Sequence, residues 1–106
     1  MNLRIVWTPS ALQSLLDVFE YTHSEFGEYQ LCRLRRKVSK TTNRISAFPK
    51  MGVVDPLSEK IGVEYRSILV IPEIKIIYCV LQDTIQIEYV KNSRIDDETM
   101  LKNMGL

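Results

Sequence analysis

Val63-Glu-Tyr-Arg-Ser-Ile-Leu-Val-Ile71, Ile74-Lys-Ile-Ile-Tyr-Cys-Val-Leu81 and Thr84-Ile-Gln-Ile-Glu-Tyr-Val90 are three β-branched and aromatic runs, separated only by Pro72-Glu73 and Gln82-Asp83. Connections this short join antiparallel neighbours, so the stretch predicts a β-meander. In the middle run Ile74, Ile76, Tyr78 and Val80 alternate with Lys75, Ile77, Cys79 and Leu81. Both faces are therefore largely apolar, as expected of a central strand with helices covering one side.

Upstream of the meander, the apolar period changes. Leu3, Ile5 and Trp7 alternate with Arg4 and Val6, which predicts a short opening strand with one buried face. Thr8-Pro9 supplies a helix cap and a first-turn proline, and Ala11, Leu12, Leu15, Leu16 and Phe19 then recur at helical spacing down to Phe26. Gly27 is the natural stop. A second helix from Glu28 places Leu31, Leu34, Val38 and Ile45 on one stripe, giving a helical hairpin. Phe48-Pro49-Lys50-Met51-Gly52 ends it and opens a loop that runs through Asp55-Pro56 towards Gly62. Asp96-Asp97-Glu98 begins a last short helix bearing Met100, Leu101 and Met104. The order β-α-α-β-β-β with a short C-terminal helix predicts an α+β fold: a helical hairpin packed on a four-stranded, mainly antiparallel sheet.

A length of 106 residues fits one domain, 1–106, which can bury about two-thirds of its unfolded surface. Hydrophobic residues at 45% and charged residues at 25% are globular values, and no apolar run is long enough for a bilayer. A soluble, non-membrane protein is expected. The first residues carry no secretory cleavage pattern, so a cytoplasmic address is expected by default. Cys32 and Cys79 lack CxxC spacing and read as buried thiols, and the single His23 reads as a surface or capping residue. With one histidine and two separated cysteines, neither metal nor cofactor is expected.

Net charge is only +1, but the charges are segregated. Arg33, Arg35, Arg36, Lys37, Lys40, Arg44 and Lys50 fall in a stretch with no acidic residue, while Asp17, Glu20, Glu25 and Glu28 precede it. Two readings compete: adjacent helices of opposite sign that support one another, or a surface formed by residues such as Arg33, Arg36, Lys37 and Lys40 for nucleic acid or an acidic partner. Tyr29 is the one aromatic interleaved in the basic helix, which gives little support to a stacking platform for single strands.

Several markers occur together and in order. They are Val6-Trp7-Thr8-Pro9 with Ala11, Phe26-Gly27, Phe48-Pro49 with Gly52, Tyr65-Arg66-Ser67-Ile68, Ile76-Ile77-Tyr78, and Val90 with Arg94. From Ile5 to Asp96 the sequence resembles the RelE/ParE toxin superfamily, most closely its ParE-like, plasmid-stabilisation branch. The resemblance implies a growth-inhibiting toxin of a type II toxin–antitoxin system, neutralised by a cognate antitoxin whose disordered segment folds over it. RelE-like members cut messenger RNA on the ribosome; ParE-like members inhibit DNA gyrase. If the chain cuts RNA, Arg66 and Arg94 match the family positions that line the concave sheet face, with Lys75 as a possible third cation there. Guanidinium groups suit phosphate because they donate two parallel hydrogen bonds. Glu64 or Tyr65 would move the proton. The competing account has Arg66 and Arg94 pairing with Glu64, Glu88 or the terminal acids to fasten the sheet.

The chain departs from the RNA-cutting pattern. Residues 95–106 after Arg94 contain no tyrosine or histidine, and the lysine pair before the arginine strand is reduced to Lys60 beside Glu59. A gyrase-directed, non-enzymatic toxin is therefore the first expectation, a ribosome-dependent endoribonuclease the second, and a degenerate, non-toxic binding partner the third. The antitoxin is expected on the helix pair and the open sheet face, with Ile68 or Met100 among its apolar contacts.

Overall fold

A computed structural model describes residues 2–106; Met1 lies outside the described residues. β1 (Arg4–Trp7) leads into α1 (Pro9–Ala47). Thr8 caps the helix, its Oγ1 accepting from the Ala11 N–H at 3.0 Å with Pro9 in the first turn. Gly27 sits at φ 87°, ψ 180°, which divides α1 into two arms. A straight helix of this length would reach about 58 Å, yet the protein's longest dimension is 38 Å. The arms fold back on one another, and Ser46 at the far end of α1 bonds Leu3 next to β1 through both its carbonyl and its hydroxyl. The expected hairpin is present.

The segment expected as loop contains β2 (Val53–Val54) and a short α2 (Leu57–Ile61). The Asp55 carboxylate accepts from the Leu57 N–H at 2.9 Å, and Gly62 closes α2 in the left-handed conformation. Residues 62–65 are taken up by that closure, since Tyr65 exchanges backbone bonds with the Ser58 hydroxyl and accepts from the Asp55 N–H. β3 (Arg66–Ile71) thus starts three residues later than the apolar run predicts. β4 (Ile74–Leu81) and β5 (Thr84–Asn92) complete the meander, and α3 (Asp97–Asn103) follows, capped by Asp96. The sheet has five strands rather than four, in the order β1-β5-β4-β3-β2, with β1 parallel to β5 and every other pairing antiparallel.

One face of the sheet, carrying Ile74, Ile76, Tyr78, Ile85, Ile87 and Val90, packs on Ala11, Val18, Leu34, Val38 and Ile45 of the hairpin. The other face is partly covered rather than open: Ile77, Cys79 and Tyr89 meet Leu57 of α2 and Met100 of α3. Met100 is 1% exposed and Ile68 packs against the hairpin-side core, so neither offers an apolar contact to a partner, contrary to expectation. Glu88 is an extra residue in β5, because Ile77 pairs with Tyr89 while Tyr78 pairs with Ile87. This bulge lets Ile87 and Val90, three residues apart, face the same core. Hydroxyls of α1 and its cap satisfy the displaced backbone: Thr8 donates to the Glu88 carbonyl, and the Val90 N–H donates to Ser14 Oγ at 2.9 Å.

Candidate functional site

The two arginines singled out by the sequence lie at opposite ends of the sheet. Arg66 is the first residue of β3 and pairs with Tyr78, in the middle of β4, on the hairpin side. Arg94 lies beyond Asn92, which pairs with Ile74, the residue beside Ile71 at the other end of β3. Four residues of extended strand separate those positions by about 13 Å. Lys75 is on the opposite face from Arg66. The three cations are not gathered on one surface.

At the Arg66 end the groups are mutually satisfied. Arg66 donates to the Gly52 carbonyl at 2.8 Å and pairs with Glu64 at 2.9 Å, and its side chain is 18% exposed. The Tyr78 O–H donates to the Pro49 carbonyl at 2.7 Å and accepts from the Gly52 N–H at 3.0 Å. Burial pushes the Tyr78 hydroxyl above its ordinary pKa, partly offset by the Gly52 hydrogen bond and the Arg66 charge. A Cβ at Gly52 would lie 2.6 Å from the Tyr78 oxygen and 2.9 Å from the Ser67 carbonyl, so only glycine lets the 49–52 loop approach this closely.

On the face under α2 and α3, Lys75 Nζ donates to Asp55 at 2.7 Å, and Lys91 pairs with Asp97 at 2.5 Å. Asp55 is 4% exposed. Burial alone would raise its pKa, but hydrogen bonds from Lys75, the Leu57 amide and Ser67, with the Lys75 charge, hold the carboxyl below its usual range. Gln86 and Cys79 both bond Glu88. Burial and the neighbouring Glu88 push the Cys79 thiol up to about 12, which makes it inert. Tyr65 is buried, and burial, then the charges of Glu88 and Cys79, raise its hydroxyl above the ordinary value. Glu64 is exposed and held in its ion pair with Arg66. Among the described residues no cluster of His, Cys, Asp and Glu is arranged to hold a metal ion. No described helix is long and apolar enough to cross a membrane.

The Arg94 end is open. Between the hairpin and the β3–β4 turn lies a groove of about 510 Å³ whose lining includes Val18, Leu34, Ile71 and Ile74 as an aliphatic floor. Arg33, Lys37, Arg94 and Glu73 are its charged residues, and Tyr21 and Phe26 its aromatic ones. The Arg94 guanidinium stacks 3.4 Å from the Tyr21 ring centroid. Arg36 and Lys40 are exposed on the same helical arm but outside the groove. The basic run therefore divides, with Arg33 and Lys37 turned to the groove and the rest to solvent. Sequence reasoning missed this groove and the Asp55–Lys75 pair. A helix-start signature at Asp55-Pro56, with Glu59 and Gly62 following, carried a readable hint of the second.

A hairpin across an antiparallel meander, closed by a parallel N-terminal strand, is an α+β fold that the chain shares with the two solved structures below. The chain's fold matches the chromosomal ParDE toxin–antitoxin system from P. aeruginosa with a TM-score of 0.67 at 17% identity, over 85% of this chain and 95% of that one. It matches a YoeB/ParE toxin from Agrobacterium tumefaciens with a TM-score of 0.55 at 17% identity, over 85% and 98%. No curated protein matches the sequence. Residues 5–96 match the family described as the ParE toxin of the type II toxin-antitoxin system, parDE. The chain belongs to the ParE toxin family of type II toxin–antitoxin systems.

Proposed function

We propose that this single-domain chain is a cytoplasmic growth-inhibiting toxin that acts by binding DNA gyrase, without chemistry of its own, and is held in check by a cognate antitoxin. The family match over residues 5–96 carries the reading. The state of the candidate catalytic groups supports the non-enzymatic part. Attack of a 2′-hydroxyl on a phosphate needs an available base, an acid for the departing oxygen and free cations around the phosphorane. Arg66 is committed to Gly52 and Glu64, and the buried, raised hydroxyl of Tyr65 is a poorer proton donor than a free tyrosine. Arg94 stands at the far end of the sheet, stacked on Tyr21.

The test pairs two assays on the purified protein: supercoiling by gyrase, and cleavage of message on programmed ribosomes. Loss of supercoiling with intact message is the expected result. Cleaved message with normal supercoiling would replace the proposal with the endoribonuclease, and neither effect would leave a non-toxic binding partner.

A further inference from the structure

We infer that two copies of this chain associate edge to edge through β1, around a twofold axis at Val6. The inference is independent of the gyrase and antitoxin readings above. β1 is an edge strand, paired on one side only, with β5. Backbone groups along a strand face alternately to either side. The Arg4 N–H donates to the Asp83 carbonyl and the Thr8 N–H to the Ile87 carbonyl, so Arg4, Val6 and Thr8 turn their backbone groups to β5 while Leu3, Ile5 and Trp7 turn theirs away. Leu3 is already satisfied, because its N–H donates to the Ser46 carbonyl at 3.0 Å and its carbonyl accepts from the Ser46 hydroxyl. Pro9, the next outward residue, has no N–H and begins α1. The free edge therefore consists of the N–H and C=O groups of Ile5 and Trp7, which have no partner among the described residues. No lysine, proline or bulge interrupts β1, the usual protection of such an edge.

This edge is self-complementary. A copy related by a twofold axis through Val6 runs antiparallel and sets Ile5 of one protomer opposite Trp7 of the other, twice, each pair exchanging two hydrogen bonds. Every free group is then used. An axis at Ile5 would set Trp7 against Leu3, whose groups Ser46 holds, and an axis at Trp7 would set Ile5 against Pro9, so neither register uses the edge fully. The side chains agree with the Val6 register. Ile5 and Trp7, half-buried against the hairpin-side core, would meet across the strands as β-branched and aromatic pairs. On the other face Val6, 38% exposed, would meet its own copy. Arg4 is exposed and in no ion pair among the described residues. It would stand opposite Thr8 of the other protomer, with that protomer's Glu88 one strand further on, and two strand spacings of about 10 Å lie within the combined reach of the two side chains. Glu88 has an oxygen to offer, since Gln86 and Cys79 both bond its Oε1. A strand of an unrelated protein could supply main-chain bonds to this edge; a second copy adds an Arg–Glu pair on each side of the axis in the same register. The edge is short, so the association is expected to be weak and concentration-dependent.

The experiment follows the purified full chain by sedimentation equilibrium over rising concentration, with amide exchange read residue by residue and melting curves to confirm that each variant folds. The apparent mass is expected to approach twice that of the monomer, and exchange at the Ile5 and Trp7 amides to slow as the dimer fills. Val6→Lys sets two ammonium groups together at the axis and should weaken association at least about tenfold, less so at high salt. Val6→Thr should associate as the wild type does. Arg4→Glu and Glu88→Lys should each weaken self-association, and an equimolar mixture of the two should recover it, because opposite charges again face one another in the mixed dimer. A monomer at every concentration would overturn the proposal and leave the edge to a strand of another protein. A dimer unmoved by Val6→Lys, or one whose Ile5 and Trp7 amides exchange as fast as in the monomer, would overturn it by placing the interface elsewhere. Charge variants that do not recover on mixing would overturn the Val6 register.

Discussion

The two arginines that the sequence marks for function lie at the two ends of β3, Arg66 as its first residue and Arg94 beside its last turn, and these ends have been built differently. At the Tyr78 end, Arg66, Tyr78, Glu64 and the backbone of residues 49–52 use one another's hydrogen-bonding capacity. At the Ile74 end, Arg94 has an aromatic ring beneath it, two more cations across a groove with a largely buried aliphatic floor, and the exposed ring of Phe26 beside it. A satisfied network rigidifies a fold, whereas unpaired charge beside accessible apolar surface is kept at some cost in stability and is where a partner gains affinity. An arginine's position in a sequence motif does not reveal which of these it does; its hydrogen-bond partners do.

Substitutions at the closed end should cost stability, and the largest effect is expected just beside it. Asp55→Ala removes a buried carboxylate that accepts from the Leu57 N–H at the start of α2 and pairs with Lys75, and should lower unfolding free energy by roughly 3 kcal/mol in denaturant titrations. Asp55→Asn keeps the shape and gives a pH test. Because the folded pKa of Asp55 lies below its ordinary value of 3.8, its contribution is complete above that value and disappears as pH falls through the lower, folded one. The stability gap between wild type and Asp55→Asn should therefore be widest near neutral pH and close under acid. A gap that widens on acidification would mean that the pair is not held as described.

Next in size, Tyr78→Phe strands the Gly52 N–H and the Pro49 carbonyl, and Gly52→Ala forces a methyl group against the Tyr78 oxygen; each should cost about 2 kcal/mol. The double variant should cost clearly less than the sum, since removing the hydroxyl makes room for the methyl group, and full additivity would show that the two are not in contact. At the open end, Arg94→Ala gives up one exposed cation–π contact and should shift unfolding free energy by no more than about 0.5–1 kcal/mol.

The meander was legible because its period-two runs and two-residue turns leave few alternatives, and the hairpin because Thr8-Pro9 and Gly27 punctuate a helical stripe. The fifth strand was not, since two residues, Val53 and Val54, have no periodicity to read. The bulge at Glu88 escaped for a related reason. It depends on hydroxyls of Thr8 and Ser14, some eighty residues away, that satisfy backbone groups no local pattern exposes. At the candidate site the sequence singled out both arginines. It could not say that Arg66 would be consumed by the 49–52 loop, or that Arg94 would join Tyr21 and Lys37 across the chain, because both are tertiary facts.

The most direct measurement sets Arg66→Ala beside Arg94→Ala, with denaturant titration and affinity for the cognate antitoxin read on each. Arg66→Ala should lose about 1–2 kcal/mol of stability, as the Gly52 carbonyl and Glu64 lose their partner, and keep its affinity under conditions where it is folded. Arg94→Ala should keep its stability and bind several-fold more weakly. If instead Arg94→Ala unfolds the protein, or Arg66→Ala abolishes binding while the fold stands, the division between a structural end and a binding end is wrong.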